Sequence, residues 1–189
     1  MEEQKGEFET QNEALRLQIF ENTFFQLLTT LNSSINDIDL VVSTRITKGK
    51  DAIKVFYDRF REVSPQVDYA SAYQASYEQH SHEFAHYFRL LYRIFRYIDE
   101  SAPNGKQHFY AKIVRAQMSE YEVNFLFYNS LSHHGQKFLI LVNKFGLLKF
   151  TNISKLRTMS DMAIHQTEAF DGGEALRIWT SQINEPKAP

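Results

Sequence analysis

Three residues near the middle of the chain match a pattern that binds zinc in hydrolases. His82, Glu83 and His86 form the sequence H-E-x-x-H within a predicted helix. In such a helix two His side chains four residues apart hold the metal on one face, and the Glu activates the attacking water. A third ligand would have to come from elsewhere, and Glu120 and Glu122 are the candidates.

The residues that follow this pattern argue against a metal. Arg89 and Arg93 come directly after the two histidines on the same side of the helix, and their charges would repel a dication. We therefore favour a polar helix face and predict no metal and no other cofactor. A metal site at His82, Glu83 and His86 remains the alternative.

A row of arginines continues along this helix. Arg89, Arg93 and Arg96 are spaced by four and three residues, with Tyr92 and Tyr97 beside them. Such a row could bind phosphate, a nucleotide or an RNA strand, or it could be a solvated face that pairs with carboxylates. The formal net charge of −2 gives no electrostatic support for a dedicated nucleic-acid binder, so we do not favour nucleic acid as the partner.

A second helical stretch adds polar residues that a hydrophobic core does not require. Ser119 and Glu122 have the spacing of a capping box, which favours a helix start there. In the alternative, Glu122 pairs with Arg89 or Arg115 in a polar cluster between the two helices. The full predicted cluster comprises His86, Arg89, Tyr92, Arg115, Gln117, Glu122 and Asn129.

Helices are the predicted elements that would position these side chains, because apolar residues recur at three- and four-residue steps. The predicted helices span about residues 9–35, 51–64, 69–97, 106–118, 119–131 and 136–148, with a last short helix near 176–183. Asp51 is the predicted cap of the second helix, and residues 39–43 form a brief extended piece. Only 7 Gly and 4 Pro in 189 residues favour long helices.

The predicted fold is all-α, a single helical domain of about six helices with a long N-terminal helix. Residues 1–12 form a polar N-terminal arm, and residues 151–189 form a C-terminal extension. Leu15, Ile19 and Phe24 lie on the predicted apolar stripe of the first helix. Because its first turns are polar, we expect this helix to project or to pair with a second copy, which makes a homo-oligomer.

The composition limits the classes of site and location. The chain has no cysteine, so disulfides, thiol nucleophiles and Cys-ligated metals are excluded, which fits a reducing cytoplasm. No apolar run approaches the roughly 20 residues that span a bilayer. We expect a cytoplasmic protein.

The amino-acid sequences of four segments resemble those of a known bacterial family. These segments are Gly49–Ala52, His86–Ile98, Tyr110–Asn129 and Gly135–Phe138, and the similarity extends from the Phe20–Leu28 stretch to about residue 150. Together they resemble the phage abortive infection proteins (AbiC-like). Within this resemblance His86 and Arg89 belong to a His-Tyr-Phe-Arg signature, whereas His82 and Glu83 lie outside it.

The resemblance implies bacterial antiphage defence, in which infection is sensed and the infected cell is sacrificed or arrested. It supplies no catalytic residues. We expect a non-catalytic helical sensor or protein-interaction module whose partner is a phage or host protein. The alternative is a defence enzyme, either an H-E-x-x-H hydrolase or a metal-free nuclease that uses the basic helix face. Family members often carry membrane helices upstream, so a removed anchor would make the protein membrane-associated.

Overall fold

Helices dominate the computed structural model, which describes residues 2–42 and 44–184. The elements are α1 Glu2–Asn36, β1 Asp39–Val42, β2 Arg45–Lys48, α2 Gly49–Glu62, α3 Tyr69–Ser101, α4 Gln107–Gln117, α5 Glu120–Asn129, α6 Gln136–Phe145 and α7 Glu174–Asn184. Short 3-10 helices at Ile153–Lys155, Met159–Ile164 and Thr167–Phe170 connect α6 to α7. Met1 of the predicted arm, Ser43 of the predicted extended piece and residues 185–189 of the predicted extension lie outside the described residues.

The all-α prediction is confirmed, and so is the long N-terminal helix. The β-structure described within residues 2–42 and 44–184 is one antiparallel hairpin, in which Val41 pairs with Ile46. No helix in this part of the chain is both long enough and apolar enough to cross a bilayer. The boundaries of the predicted arm, core and extension stay predictions.

The long helix α3 buries a stripe of apolar residues at helical spacing. The buried residues of this stripe include Phe84, Phe88, Leu91, Phe95 and Ile98. Helix α1 packs along α3, and the rings of Phe20 and Tyr97 stack with centroids 5.2 Å apart. The opposite face of α3 is therefore left to its polar side chains.

Helix α5 lies at the centre of the core. Its residues from Glu122 to Asn129 are all buried, because the helix is covered on every side. The ring of Phe125 lies 4.7 Å from the rings of both Phe56 in α2 and Phe88 in α3. Aromatic rings at this distance are in close contact, so α5 is tightly packed against α2 and α3.

Two details of the sequence interpretation are wrong. Leu15 and Ile19 do not join the core stripe of α1: they are 53% and 57% exposed, and the buried stripe begins at Phe20. Asp51 does not cap α2, which begins at Gly49 after an uncapped Lys48, so Asp51 lies in the first turn. Local spacing does not show where the helices that cover α1 end, and α2 begins two residues before Asp51 because β2 continues directly into it.

Candidate functional site

A pocket of about 410 Å³ opens between α3 and the start of α6. Helix α3 supplies one wall through residues at helical spacing, and the α5–α6 turn with the first turn of α6 supplies the other. The residues that line it are Tyr77, Ser81, Ala85, Phe88, Arg89, Tyr92, Asn129, His134, Gly135, Lys137 and Phe138. The volume falls within the range of small-molecule sites, about 300–1,000 Å³.

Two cations lie at the rim of this pocket. Arg89 and Lys137 are both exposed, and within the described residues neither makes a hydrogen bond or an ion pair. The pocket lining, all of it described, includes no carboxylate. The two positive charges are therefore not neutralised by the protein at this site.

Aromatic rings form the walls below the cations. Phe138 is 2% exposed and meets the half-buried Tyr92 edge to face, with ring centroids 5.7 Å apart. At the other end, the rings of Tyr77 and His134 lie 5.1 Å apart. Burial raises the pKa of Tyr77 to about 12, an effect that the charge of Arg89 opposes. Arg89 is thus close enough to act electrostatically on this wall.

His134 contributes an aromatic ring to the pocket, and its positive charge is disfavoured. Burial and then the neighbouring His133 lower its pKa, whereas Glu78 acts in the opposite direction. The fixed positive charge of the pocket therefore comes from Arg89 and Lys137.

The base of the pocket depends on a close approach between α5 and α6. Asn129 is buried, and its Nδ2 donates to the Tyr73 hydroxyl at 2.7 Å. A Cβ on Gly135 would lie only 2.1 Å from the carbonyl oxygen of Asn129. Gly135 is also the N-cap of α6 and has no side chain to cap it. Glycine is therefore required where the turn meets α5.

The structure brings together three of the seven residues of the predicted polar cluster. Arg89, Tyr92 and Asn129 line the pocket, although the sequence places Asn129 on a different helix. The other four lie elsewhere. The Nε2 of His86 donates to the carbonyl oxygen of Ser34 in α1 at 3.3 Å.

Glu122 has a structural role in the capping box. Its carboxylate accepts from the Ser119 backbone N–H at 2.8 Å, which confirms the predicted capping box. It also accepts from the buried Tyr87 hydroxyl at 3.1 Å and lies 3.5 Å from Lys50 Nζ. The alternative pairing of Glu122 with Arg89 or Arg115 does not occur, because Arg89 lines the pocket and Arg115 contacts the end of α6.

Arg115 closes the C-terminal end of α6. It is 4% exposed, and its Nη1 donates to the carbonyl oxygens of Phe145 and Gly146 at 3.2 and 2.8 Å. The same atom lies 3.0 Å from Asp171 Oδ2. Burial acts to raise the pKa of Asp171, but hydrogen bonds from Lys149 and Arg115 outweigh it, so that this pKa is lowered.

Gln117, the last of the seven, is exposed at the end of α4. Its side-chain oxygen accepts from Asn32 in α1 at 3.3 Å, and its backbone carbonyl accepts from Lys50 Nζ at 3.2 Å. These contacts tie α1 and α2 to α4. They lie away from the pocket.

The H-E-x-x-H residues do not converge on one point. His82 is exposed and its Nε2 lies 3.1 Å from Glu83, while His86 faces α1. In the described part of the chain, no group of three or more His, Cys, Asp or Glu side chains is placed to hold a metal ion.

The three arginines of the predicted row have different surroundings. Arg96 pairs with Glu100 one turn further along α3, and Arg93 is exposed to solvent. Only Arg89 reaches the pocket. Sequence reasoning missed Lys137 and Phe138 as its companions, although both lie in the Gly135–Phe138 segment that carries the family resemblance.

The fold and the pocket define an all-α protein with a cationic, aromatic recess between two core helices. Residues 79–156 match the model of a family described as "Putative phage abortive infection protein" (putAbiC). The predicted resemblance is confirmed over this range, which is less than half of the 189-residue chain and contains every lining residue except Tyr77. No curated protein and no solved structure matches the chain.

Proposed function

We propose that this protein acts in bacterial antiphage defence as a non-catalytic helical sensor, and that it recognises a sign of infection in the pocket between α3 and α6. One observation carries the proposal. Arg89 and Lys137 have no hydrogen-bond or ion-pair partner among the described residues; they lie at an aromatic recess, inside the range that matches the abortive infection family. Two exposed cations beside an apolar recess are suited to an external ligand, because small-molecule sites combine apolar walls with a few polar groups that orient the ligand.

The chemistry of the pocket supports binding over catalysis. The one aliphatic hydroxyl in the lining, Ser81, donates to the backbone carbonyl of Glu78 at 3.4 Å and not to a base. Among the described residues, Ser81 therefore lacks the hydrogen-bonded base that activates hydroxyl nucleophiles in enzymes. We therefore assign the pocket to recognition, with the response passed to a phage or host protein.

The exposed part of α1 supports self-association as the second element of this function. Phe8, Leu15 and Ile19 lie on one helix face, which is turned away from the face that packs on α3. The apolar side chains supply the attraction, because residues 1–19 carry five Glu against one Lys and one Arg, and two copies repel each other electrostatically. We propose a homo-oligomer through this face, and a cytoplasmic location in which the sensor meets phage components.

A plaquing assay tests the sensor function with a matched pair of arginines. Cells expressing the wild type, Arg89→Ala or Arg93→Ala are challenged with a panel of phages at equal protein levels. Both arginines are exposed on α3, but only Arg89 lines the pocket. We expect the wild type and Arg93→Ala to reduce plaque numbers. Cells with Arg89→Ala should give at least about tenfold more plaques than cells with the wild type, because one charge-assisted contact is lost.

Equal thermal midpoints of the two variants would show that Arg89→Ala is folded. Full protection by Arg89→Ala would refute the role of the pocket. A wild type that protects against none of the phages would refute the defence function itself.

A further inference from the structure

We infer that the ligand of this pocket is a nucleoside phosphate of about mononucleotide size. The inference rests on the proposed recognition role of the pocket and specifies its chemistry. It is carried by two different recognition elements within one recess: exposed cations at the rim that pair with no described residue, and aromatic rings in the wall.

The rim is suited to a phosphate group. Arg89 presents a planar guanidinium fork and Lys137 a mobile ammonium, and phosphate oxygens accept hydrogen bonds from both. No carboxylate of the described lining competes for them. The uncapped start of α6 beside Lys137 adds partial positive charge at the same end.

The wall is suited to a planar base. Tyr92 is half-buried against Phe138, so it presents a ring at the pocket without being free to rotate away. The exposed His134 offers a second ring, which packs on Tyr77 behind it; Tyr77 itself is 3% exposed and stacks on Tyr73. Stacking on aromatic side chains contributes about 1–3 kcal/mol per base in single-stranded nucleic acid complexes, and it needs no sequence-specific hydrogen bonds.

The size of the pocket limits the ligand. A cavity of about 410 Å³ is near the lower end of the range for small-molecule sites. The basic row does not extend the site into a strand-binding groove, because Arg93 does not line the pocket and Arg96 pairs with Glu100. A mononucleotide therefore fits the distribution of charge better than an RNA strand does.

Calorimetry on the purified full chain tests this inference with four kinds of probe: ribonucleoside mono- and triphosphates, adenosine, inorganic phosphate and a single-stranded RNA oligonucleotide. At least one nucleotide should bind more than about tenfold more tightly than adenosine or phosphate, because only a nucleotide uses both recognition elements. Binding should weaken about tenfold or more in Arg89→Ala and in Lys137→Ala, and by less than about twofold in Arg93→Ala.

A Tyr92→Leu variant separates stacking from charge. It should lose nucleotide affinity while binding of inorganic phosphate is unchanged. Equal affinity for phosphate and nucleotides would overturn the inference, and so would tighter binding of the RNA oligonucleotide or no nucleotide binding at 1 mM.

The plaquing assay distinguishes failure of this inference from failure of the proposed function. If Arg89→Ala loses protection but the wild type binds no nucleotide, the sensor role stands and the proposed ligand class is refuted. Nucleotide binding with full protection by Arg89→Ala would leave the ligand class and refute the sensor role.

Discussion

His165 is a buried histidine outside the pocket, and its environment makes the protein sensitive to acid. Its ring packs against the ring of Phe127 with centroids 4.4 Å apart, and its Nε2 donates to the backbone carbonyl oxygen of Phe127 at 2.9 Å. The Nδ1 is buried without a partner among the described residues. Burial disfavours the charged ring and lowers the pKa of His165 to about 4, and the hydrogen bond to the Phe127 carbonyl opposes this shift only in part.

We predict that the free energy of unfolding falls as the pH drops from about 6.5 to about 4. In this interval the unfolded chain binds a proton at His165 and the folded protein does not, so protonation favours unfolding. A difference of this size in pKa corresponds to about 3 kcal/mol. Urea unfolding at a series of pH values measures it.

A His165→Gln variant provides the control for this prediction. The variant should lose most of the slope between pH 6.5 and 4. A smaller slope of the same sign should remain, because burial also lowers the pKa values of the more accessible His80 and His134. An unchanged slope in His165→Gln would contradict the assignment.

At the scale of single residues, roles that depend on local spacing were predictable and roles that depend on distant partners were not. The Ser119–Glu122 capping box is confirmed because both partners lie within one helical turn. Arg115 was grouped with Arg89, yet its partners are Gly146 and Asp171, and no local pattern in the sequence connects these positions.

At the scale of elements, the α5–α6 junction positions the pocket. Helix α5 is fixed by burial on all sides, and Gly135 allows the start of α6 to lie directly against it. Lys137 and Phe138 follow in the first turn of α6, so their distance from α3 is set by this contact. Any displacement of the turn changes the pocket.

We predict that Gly135→Ala destabilises the protein by about 2 kcal/mol, because the new methyl group meets backbone that must move. Thermal or urea unfolding measures the loss. Gly6→Ala is the control, since an added Cβ there has nothing within 4 Å; it should not destabilise the protein and should raise the stability by up to about 1 kcal/mol, because Ala favours the helix more than Gly does. Equal stability of the two variants would mean that the turn relaxes freely.

At the scale of the whole molecule, α1 has two parts with different roles. From Phe20 onward its stripe is buried against the core, whereas the described side chains before it are almost all exposed. Helical spacing continues through both parts, so the sequence alone does not mark the boundary. The position of the boundary depends on where α3 and α4 stop covering α1.

Replacing Phe8, Leu15 and Ile19 with Gln should leave the stability of the core within about 0.5 kcal/mol per substitution, because these side chains are 65%, 53% and 57% exposed. The same variant should be a monomer where the wild type is an oligomer. Light scattering measures the mass and urea unfolding the stability.

The neighbouring Phe20→Ala should instead lose about 3 kcal/mol, because Phe20 is 3% exposed and stacks on Tyr97. A wild type that is monomeric at every concentration would refute self-association. A large loss of stability in the Gln variant would show that the arm packs on the core.

The sequence by itself determined the all-α class, the buried stripe of α3 and the capping box of α5. These features follow from helical periodicity and from contacts within one or two turns, which the chain encodes locally. It also carried the family resemblance. None of these features depends on how the helices pack.

Only the tertiary structure decided which polar residues share a site. Arg89 and Lys137 are far apart in the chain, and they line one pocket because α6 begins against the end of α5 beside α3. His86 and Arg115, which the sequence grouped with Arg89, face α1 and the end of α6 instead. The direction of a side chain on a helix is local, but what it meets depends on packing between helices.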